Sequence, residues 1–275
     1  DSMPAAIELK NINKRFGTVQ ANCDVSLTIE SGTIHGIVGE NGAGKSTLMS
    51  ILYGFYQADS GSIRVQGNEL KINSAHDAIT SGIGMVHQHF MLVDTFTVLE
   101  NVVLGVESGM TLKTSLDDAR DNLIELEKEY HLEVDVDALI EDLPVGLLQR
   151  VEILKALYRK ADILILDEPT GVLTPQEADE LFRILEELSK QGKTVILITH
   201  KLREIMAITN HVSVMRNGEM VAHLKTSDTN REELAELMVG RKVLLRVDKS
   251  KPNPQKEILK VKAVSYTHLT LPTSR

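Results

Sequence analysis

A glycine-rich segment near residue 40 has the composition of a phosphate-binding loop. Residues 39–46 read GENGAGKS and match the pattern G-x-x-x-x-G-K-[ST]. Glycines let the backbone fold closely around an anion, so that its N–H groups point at phosphate oxygens. In such a loop Lys45 reaches the β- and γ-phosphates, and the hydroxyl of Ser46 ligates Mg²⁺. A glycine-rich turn that carries a surface lysine is the alternative interpretation.

Three further polar residues follow apolar segments that have the character of buried strands. Asp167 and Glu168 come directly after residues 163–166, and His200 comes shortly after residues 194–198. Because the carboxyl ends of parallel strands meet at one edge of a sheet, these side chains are expected beside a ligand crevice. There Asp167 suits a contact to Mg²⁺, while Glu168 and His200 suit an attacking water or the γ-phosphate. Taken singly, each of them is more often a solvated strand end or a capping residue.

The elements that must position these residues alternate between strand and helix. A strand over residues 33–38 runs into the glycine loop, and a helix over residues 46–54 follows it. Asn217 and Gly218 separate two strand patterns and predict a type I′ hairpin. This alternation favours an α/β fold with a parallel sheet. Further predicted elements are strands at 7–16, 25–29, 83–86, 163–166 and 194–198, helical patterns over 97–158 and 178–188, a solvated acidic helix face at 116–130, and a helix at 231–239.

The composition changes after residue 240, which predicts the end of the first domain. Residues 241–256 contain Pro252 and Pro254 among charged residues and are interpreted as a linker. Residues 257–264 repeat the pattern of the chain's first strand, as the interrupted start of a second copy of the domain. Residues 265–273 match the translation of a sequencing adapter, so 265–275 is interpreted as a non-native tail. A genuine short tail is the alternative.

Composition limits the function classes. Lys and Arg total 30 and Asp and Glu total 39, and the net charge of −9 gives no general electrostatic reason to bind nucleic acid. The single cysteine, Cys23, cannot form an internal disulfide and favours a cytoplasmic compartment. The apolar runs are far shorter than the ~20 residues of a membrane-spanning helix, and the first residues do not resemble a signal peptide. A membrane connection is therefore expected to go through a partner.

The order of these motifs resembles the ATP-binding cassette of an ABC transporter. Residues 85–93, 151–157 and 166–175 further resemble the first cassette of tandem ATPases that serve importers of nucleosides and simple sugars. The likeness covers about residues 7–240. It implies an α/β P-loop NTPase fold of the ABC type, with an N-terminal antiparallel β subdomain and an inserted α-helical subdomain at about 90–158. The residues that carry it are Phe16, the loop 39–47, Gln88, 143–150, 163–170 and His200.

The resemblance also implies roles for individual residues. Phe16 would stack on adenine, and Glu168, His200 and Gln88 would be catalytic. Mg²⁺ would be held by Ser46, Gln88 and Asp167. The ATP phosphates would be held by Gly39, Glu40, Asn41, Gly42, Ala43, Gly44, Lys45, Ser46 and Thr47.

The partners implied are a second cassette and transmembrane permease subunits at the cytoplasmic face of a bacterial plasma membrane. In the family two cassettes pack head to tail, and each ATP lies between one glycine loop and the signature motif of the other cassette. ATP binding closes the pair and hydrolysis reopens it, which drives the permease. An extracytoplasmic solute-binding protein acts indirectly, and no nucleic acid is expected.

The signature segment departs from the family pattern. Where the family has Leu-Ser-x-Gly, this chain has Leu143, Pro144, Val145 and Gly146. Proline lacks both a hydroxyl and an N–H, and each lost donor to a charged phosphate is worth about 1.5–3 kcal/mol. Pro144 remains a good first helical residue. A sequencing error at Pro144 and Leu148 is one alternative.

Two other functions remain open at this point. A nucleotide-binding regulatory module with little hydrolysis would fit the altered signature. A soluble ABC protein that acts on ribosomes or DNA is disfavoured by the negative net charge.

Overall fold

The fold was analysed on a computed structural model, which describes residues 5–87, 89–104 and 116–240. An antiparallel sheet with the strand order β2-β1-β4-β5 occupies the N-terminal part of the chain. Residues 12 and 25 pair within it, and β-bulges interrupt the register of the first two strands. Its strands are β1 (Ile7–Phe16), β2 (Val19–Ile29), β4 (Ser60–Val65) and β5 (Asn68–Leu70).

The second sheet is mainly parallel and carries the candidate site at its carboxyl edge. Its order is β10-β9-β3-β8-β7-β6, and only the β9–β10 pair within it is antiparallel. Its strands are β3 (Ile34–Val38), β6 (Ile83–Val86), β7 (Ile163–Asp167), β8 (Thr194–Thr199), β9 (His211–Arg216) and β10 (Glu219–Lys225).

Helices pack against both faces of this sheet. They are α1 (Lys45–Leu52), α2 (Ala75–Thr80), α3 (Val98–Leu104), α4 (Leu116–Tyr130), α5 (Val145–Tyr158), α6 (Pro175–Lys190), α7 (Leu202–Ile208) and α8 (Arg231–Val239), with short 3-10 turns at Ile140–Asp142 and Thr226–Asp228. Helices α3 to α8 pack in the core on one face of this sheet, whereas α1 and α2 pack in the core on the other face, with the antiparallel sheet. No helix among the described residues is both long and apolar enough to cross a lipid bilayer.

The continuous apolar strands at the centre of the parallel sheet serve two separate cores. Ile163 and Ile165 pack in the cluster that joins this sheet to β1 and β2 of the antiparallel sheet. Leu164 and Leu166 point the other way and pack in the cluster that includes α5 and α6. Because side chains alternate across a strand, a strand covered on both faces must be apolar at every position. This arrangement holds the ends of β7 and β8 rigidly at the site.

Most predicted elements are confirmed. The hairpin between β9 and β10 turns at Asn217 and Gly218, whose φ values of 51° and 80° are those of a type I′ turn. The helix at 231–239 and the strands before Asp167 and His200 also lie where the patterns place them. The sequence patterns missed β4, β5, α2 and α7, each of which is only three to seven residues long.

Three expectations need correction. The helical pattern over 97–158 is not continuous, because residues between α4 and α5 form an irregular connection with a 3-10 turn at Ile140–Asp142. Pro144 is the N-cap of α5 rather than its first helical residue, since its ψ of 152° is extended. The acidic side chains of α4 are solvated except that of Glu127, which is only 6% exposed and whose pKa burial raises to about 7.

Gln88 and residues 105–115 lie outside the described residues. So do the predicted linker at 241–256, the interrupted repeat at 257–264 and the tail at 265–275. The helices α3 to α5 lie between β6 and β7 in sequence, where the helical subdomain is expected; its boundaries at about 90 and 158 stay a prediction.

Candidate functional site

The glycine loop joins β3 to α1 and ends in a backbone conformation that requires glycine. Gly44 is the N-cap of α1 and has a φ of 102°. A Cβ atom at this position would lie 2.4 Å from the carbonyl oxygen of Ala21. A side chain is therefore excluded both by the backbone angle and by the neighbouring strand. The first N–H groups of α1 have no partner within the helix, and they give this loop its capacity to bind an anion.

Lys45 is the first residue of α1 and is folded back onto the loop. Its ammonium donates to the carbonyl oxygen of Gly39 and, at 3.2 Å, to that of Glu40. Burial lowers its pKa, and the nearby charges of Glu168 and Asp167 act in the opposite direction. A buried cation held only by neutral carbonyls gains by contacting a phosphate. The arrangement therefore prepares Lys45 to move from the loop carbonyls to an anionic ligand.

Asp167 and Glu168 stand at the carboxyl end of β7. Asp167 is its last residue, and burial together with the charge of Glu168 raises the pKa of Asp167, while Lys45 opposes this rise. Glu168 has a φ of 44°, in the left-handed region that non-glycine residues rarely adopt. Strained backbone of this kind is concentrated at functional sites. The turn aims the Glu168 carboxylate toward the end of β8.

His200 and the Thr199 hydroxyl hold the Glu168 carboxylate in place. The Nδ1 atom and the backbone N–H of His200 lie 2.8 and 3.1 Å from Glu168 Oε1. The Thr199 hydroxyl lies 3.4 Å from Oε2. With an ionised Glu168, Nδ1 must carry the hydrogen, so a neutral His200 ring presents Nε2 as an acceptor. The carboxylate is thus fixed in one orientation from two sides.

One cleft of about 640 Å³ brings these groups together. Phe16 stands at its rim with 42% of its surface exposed. The Phe16 ring is supported by Tyr56, at 5.1 Å between ring centroids, and by the Lys14 ammonium, 5.2 Å from the ring. The residues that line the cleft are Phe16, Val19, Gln20, Ala21, Glu40, Asn41, Gly42, Ala43, Gly44, Lys45, Ser46, Thr47, Asp167, Glu168 and His200.

The structure thus brings most of the predicted site residues into one place. Gly39 contributes its carbonyl to Lys45, and Gln88 lies outside the described residues. Sequence reasoning missed Tyr56 and Thr199. Thr199 could have been found from its position, directly before His200 at the end of an apolar strand. No sequence pattern indicates the role of Tyr56, because its contact with Phe16 joins separate segments of the chain.

The signature segment lies at the start of α5, apart from the cleft. Within the described chain, Leu143, Pro144, Val145 and Gly146 are absent from the cleft's lining. Pro144 provides no side-chain hydrogen bond to the helix it caps. The carboxylate of Glu177 lies beside Gly146, where an added Cβ would meet it, and attraction to the N–H of Gly146 is the smallest of the causes that lower the pKa of that carboxylate.

A loop of this sequence between a strand and a helix, with an Asp-Glu pair at the end of a neighbouring parallel strand, defines a P-loop nucleotide-binding protein. The sequence profile described as "ABC transporter" matches residues 23–171. The chain belongs to that family.

The relatives in this family include importer ATP-binding proteins. The chain is 47% identical to the glucose import ATP-binding protein TsgD13 of Haloferax volcanii, in an alignment that covers 95% of this chain and 52% of that protein. It is 49% identical to the guanosine import ATP-binding protein NupO of Bacillus subtilis, over 96% of this chain and 52% of that protein. The chain spans about half the length of these relatives.

Solved structures support the same family. A nucleotide-free ATP-binding cassette from an ABC transporter superposes with a TM-score of 0.74 at 26% identity, over 86% of this chain and 95% of that chain. A cassette in its ADP conformation superposes with a TM-score of 0.74 at 27% identity, over 87% and 96% of the two chains. The fold is therefore that of an ATP-binding cassette.

Proposed function

We propose that this chain binds and hydrolyses ATP to power an importer of nucleosides or simple sugars. The single observation that carries the proposal is the cleft, in which the glycine loop, Lys45, Asp167, Glu168 and His200 meet. Relatives named as import proteins for nucleosides, guanosine and glucose supply the solute classes.

The glycine loop binds the triphosphate. The N–H groups at the start of α1 point at the phosphates, and the partial positive charge of the helix end adds to the attraction. Lys45 leaves the carbonyls of Gly39 and Glu40 and contacts the terminal phosphates. Phe16 stacks on the adenine, with its ring held from behind by Tyr56. Binding therefore uses positive charge at one end of the nucleotide and an aromatic face at the other.

Ser46 and Asp167 fit a magnesium ion. Both line the cleft, and a hydroxyl and a carboxylate are oxygen donors of the kind that Mg²⁺ prefers. Gln88 completes the set that the family resemblance implies. When bound, the ion would neutralise the negative charge that develops on the phosphates.

Glu168 orients and deprotonates the attacking water. Its carboxylate is fixed by His200 and Thr199, so that a water in the cleft meets it in one orientation. The Nε2 atom of His200 can accept a hydrogen bond from that water or from a protonated phosphate oxygen. Proton transfer therefore ends on Glu168 while His200 maintains its position.

A second groove, which shares no lining residue with the cleft, supports docking of the permease. It has a volume of about 330 Å³, and its lining includes Tyr53, Phe55, His87 and Met91. Phe55 and Met91 are 52% and 59% exposed, and exposed apolar side chains around a groove favour contact with another protein. Such a partner would connect this chain to the cytoplasmic face of a membrane, and a solute-binding protein on the other side would act through the permease. The second cassette is the other proposed partner.

A nucleotide-binding module with little hydrolysis is the second candidate. It is favoured by Pro144, which offers no N–H, and by the Glu177 carboxylate, whose negative charge lies beside Gly146. If α5 faces the γ-phosphate of a partner cassette, it then offers few donors. The two candidates share ATP binding and differ in turnover.

Phosphate release by the full chain, reconstituted with a matching permease and a second cassette, separates these candidates. We expect solute-stimulated turnover that Glu168→Gln reduces by about 10²- to 10⁴-fold, the usual contribution of a general base. Glu186→Gln, an exposed carboxylate on α6, is the matched control and should retain wild-type turnover. Equal turnover in Glu168→Gln and wild type would contradict the catalytic role. MgATP binding without turnover in the wild type would favour the regulatory module.

A further inference from the structure

Asn22 is a polar side chain buried behind the glycine loop. It lies on the edge strand β2, has no exposed surface, and donates from Nδ2 to the carbonyl oxygen of Gly44 at 3.1 Å. Its Oδ1 atom is buried and has no hydrogen-bond partner among the described residues. An unpaired buried acceptor lowers the stability of the fold, so packing alone does not explain why an amide side chain stands at position 22. The bond to Gly44 supplies a reason for its presence.

A loop that binds phosphate must turn its carbonyl groups away from the anion. Gly44 O accepts from Asn22 and also, at 3.0 Å, from the N–H of Leu48. The preceding carbonyl, of Ala43, accepts from the N–H of Gly218 at 2.9 Å. Both carbonyls are therefore engaged by donors outside the loop. This leaves the N–H groups of the following residues to face the ligand.

The two segments that carry these donors, β2 with Asn22 and the β9–β10 hairpin with Gly218, are also hydrogen-bonded to each other. Cys23, next to Asn22 on β2, donates its N–H to the carbonyl of Gly218 at 2.8 Å. The hairpin tip and β2 thus form one support, which we call the loop brace: Asn22 and Gly218. The brace connects the antiparallel sheet to the parallel sheet at the glycine loop. The brace lies close against the glycine loop, because a Cβ atom added at Gly44 would lie 2.9 Å from Asn22 Nδ2.

We propose that Asn22 is a positioning residue for phosphate binding. It holds the carbonyl of Gly44 outward, and so sets the direction of the N–H groups that meet the nucleotide. It touches neither substrate nor reacting atoms. The inference rests on the proposed binding of a nucleotide by the cleft. It adds that binding of the phosphates depends on Asn22, whereas binding of the adenine does not.

Two substitutions of nearly unchanged volume test this in the full chain. Asn22→Leu removes the donor together with the unpaired acceptor and adds no charge. Asn22→Asp replaces the donor by an oxygen that repels the Gly44 carbonyl. Asn68→Asp is the matched control, because Asn68 is exposed on β5, the opposite edge strand of the same sheet. The readouts are the affinities for MgADP and for adenosine, with the thermal midpoint of each variant.

We expect Asn22→Leu to weaken MgADP binding about five- to tenfold, the effect of one neutral hydrogen bond, with adenosine binding unchanged. Its thermal midpoint should stay near that of the wild type, because the unpaired Oδ1 is removed as well. Asn22→Asp should weaken MgADP binding further, and Asn68→Asp should not change it. A merely structural role would lower the thermal midpoint and both affinities together.

The outcomes are distinguishable. Wild-type affinity for MgADP in Asn22→Leu would overturn the positioning role, and so would equal losses for MgADP and adenosine. If Asn22→Asp fails to fold, Asn22→Leu still decides the matter. Absence of MgADP binding by the wild-type chain would instead contradict the proposed function.

Discussion

Two helices of this molecule begin beside glycine, and their N-termini are built in opposite ways. At α1 the cap is Gly44, which has no side chain to occupy the helix end, and the adjacent carbonyls are held outward by the loop brace. At α5 the cap is Pro144, which has no N–H. There the carboxylate of Glu177 lies beside Gly146 in the first turn of the helix. The first end is arranged for an anionic ligand, and the second is occupied by an anion of the chain itself.

The difference shows that a helix N-terminus becomes a binding site only when its donors are kept available. Both ends carry the same backbone dipole. Support behind the loop leaves the N–H groups at α1 for phosphate, whereas the carboxylate of Glu177 on α6 already lies against the first turn of α5. The pairing of Glu177 with Thr174 in a capping box explains how the carboxylate is held there.

The largest expected effect breaks the anion site at α1. Lys45→Met removes the buried ammonium at nearly constant length, and we expect MgATP affinity to fall about 10- to 100-fold, since charged hydrogen bonds contribute about 1.5–3 kcal/mol. The free energy of unfolding without nucleotide should not fall, because a cation whose pKa burial lowers is removed. Calorimetric titration and urea denaturation measure the two quantities.

Lys71→Met serves as the control for loss of one exposed lysine. Unchanged MgATP affinity in Lys45→Met would show that the loop does not bind phosphate as described.

A second substitution tests the backbone of the same loop. Gly44→Ala should lower the free energy of unfolding by about 1–3 kcal/mol through a strained φ, and by more through the approach to Ala21. Gly192→Ala is the matched control, since Gly192 has a φ of 90° with no atom within 4 Å of an added Cβ. Urea denaturation of both variants gives the difference. Equal losses of unfolding free energy in Gly44→Ala and Gly192→Ala would mean that the brace does not restrict the space around Gly44.

A third substitution sharpens the contrast at α5. Pro144→Ser supplies a capping hydroxyl worth about 0.5–2 kcal/mol and loses about 0.4–1 kcal/mol because the unfolded chain becomes more flexible, so we expect the free energy of unfolding to rise by at most about 1 kcal/mol. MgADP affinity should not change, because Pro144 is absent from the described lining of the cleft. Thermal denaturation and titration check both statements. Tighter MgADP binding would place α5 at this chain's own nucleotide.

The smallest effect concerns the anion at α5. Interactions with the Thr174 backbone and side chain, and to a smaller extent with the backbone of Gly146, lower the pKa of Glu177 below its ordinary value of 4.5. A lowered folded pKa gives stability above 4.5, which is lost as the pH falls through the folded value. Glu177→Gln should therefore lower the thermal midpoint near neutral pH and have no effect in stronger acid. A difference in thermal midpoint between Glu177→Gln and the wild type that does not change with pH would argue against stabilisation by the ionised carboxylate of Glu177.

Local patterns predicted the parts of this molecule that depend on local chemistry. The glycine loop, the apolar strands before Asp167 and His200, and the turn at Asn217 follow from residue types within a few positions. The start of α5 was displaced by one residue, because the extended ψ of Pro144 cannot be inferred from its type.

Contacts between distant segments could not be predicted in this way. The approach of Asn22 to Gly44, that of Glu177 to Gly146 and the burial of Glu127 each depend on how separate elements pack. The order of the strands brings these segments together, and no local pattern encodes it. The sequence therefore indicated the groups that act at the cleft, and the structure adds those that hold them.

Hydrogen exchange of the full chain with and without MgADP tests the contrast between the two helix ends most directly. The account predicts slower exchange of backbone amides in residues 39–47 and no change in residues 143–148. Slower exchange at 143–148 without any change at 39–47 would contradict it.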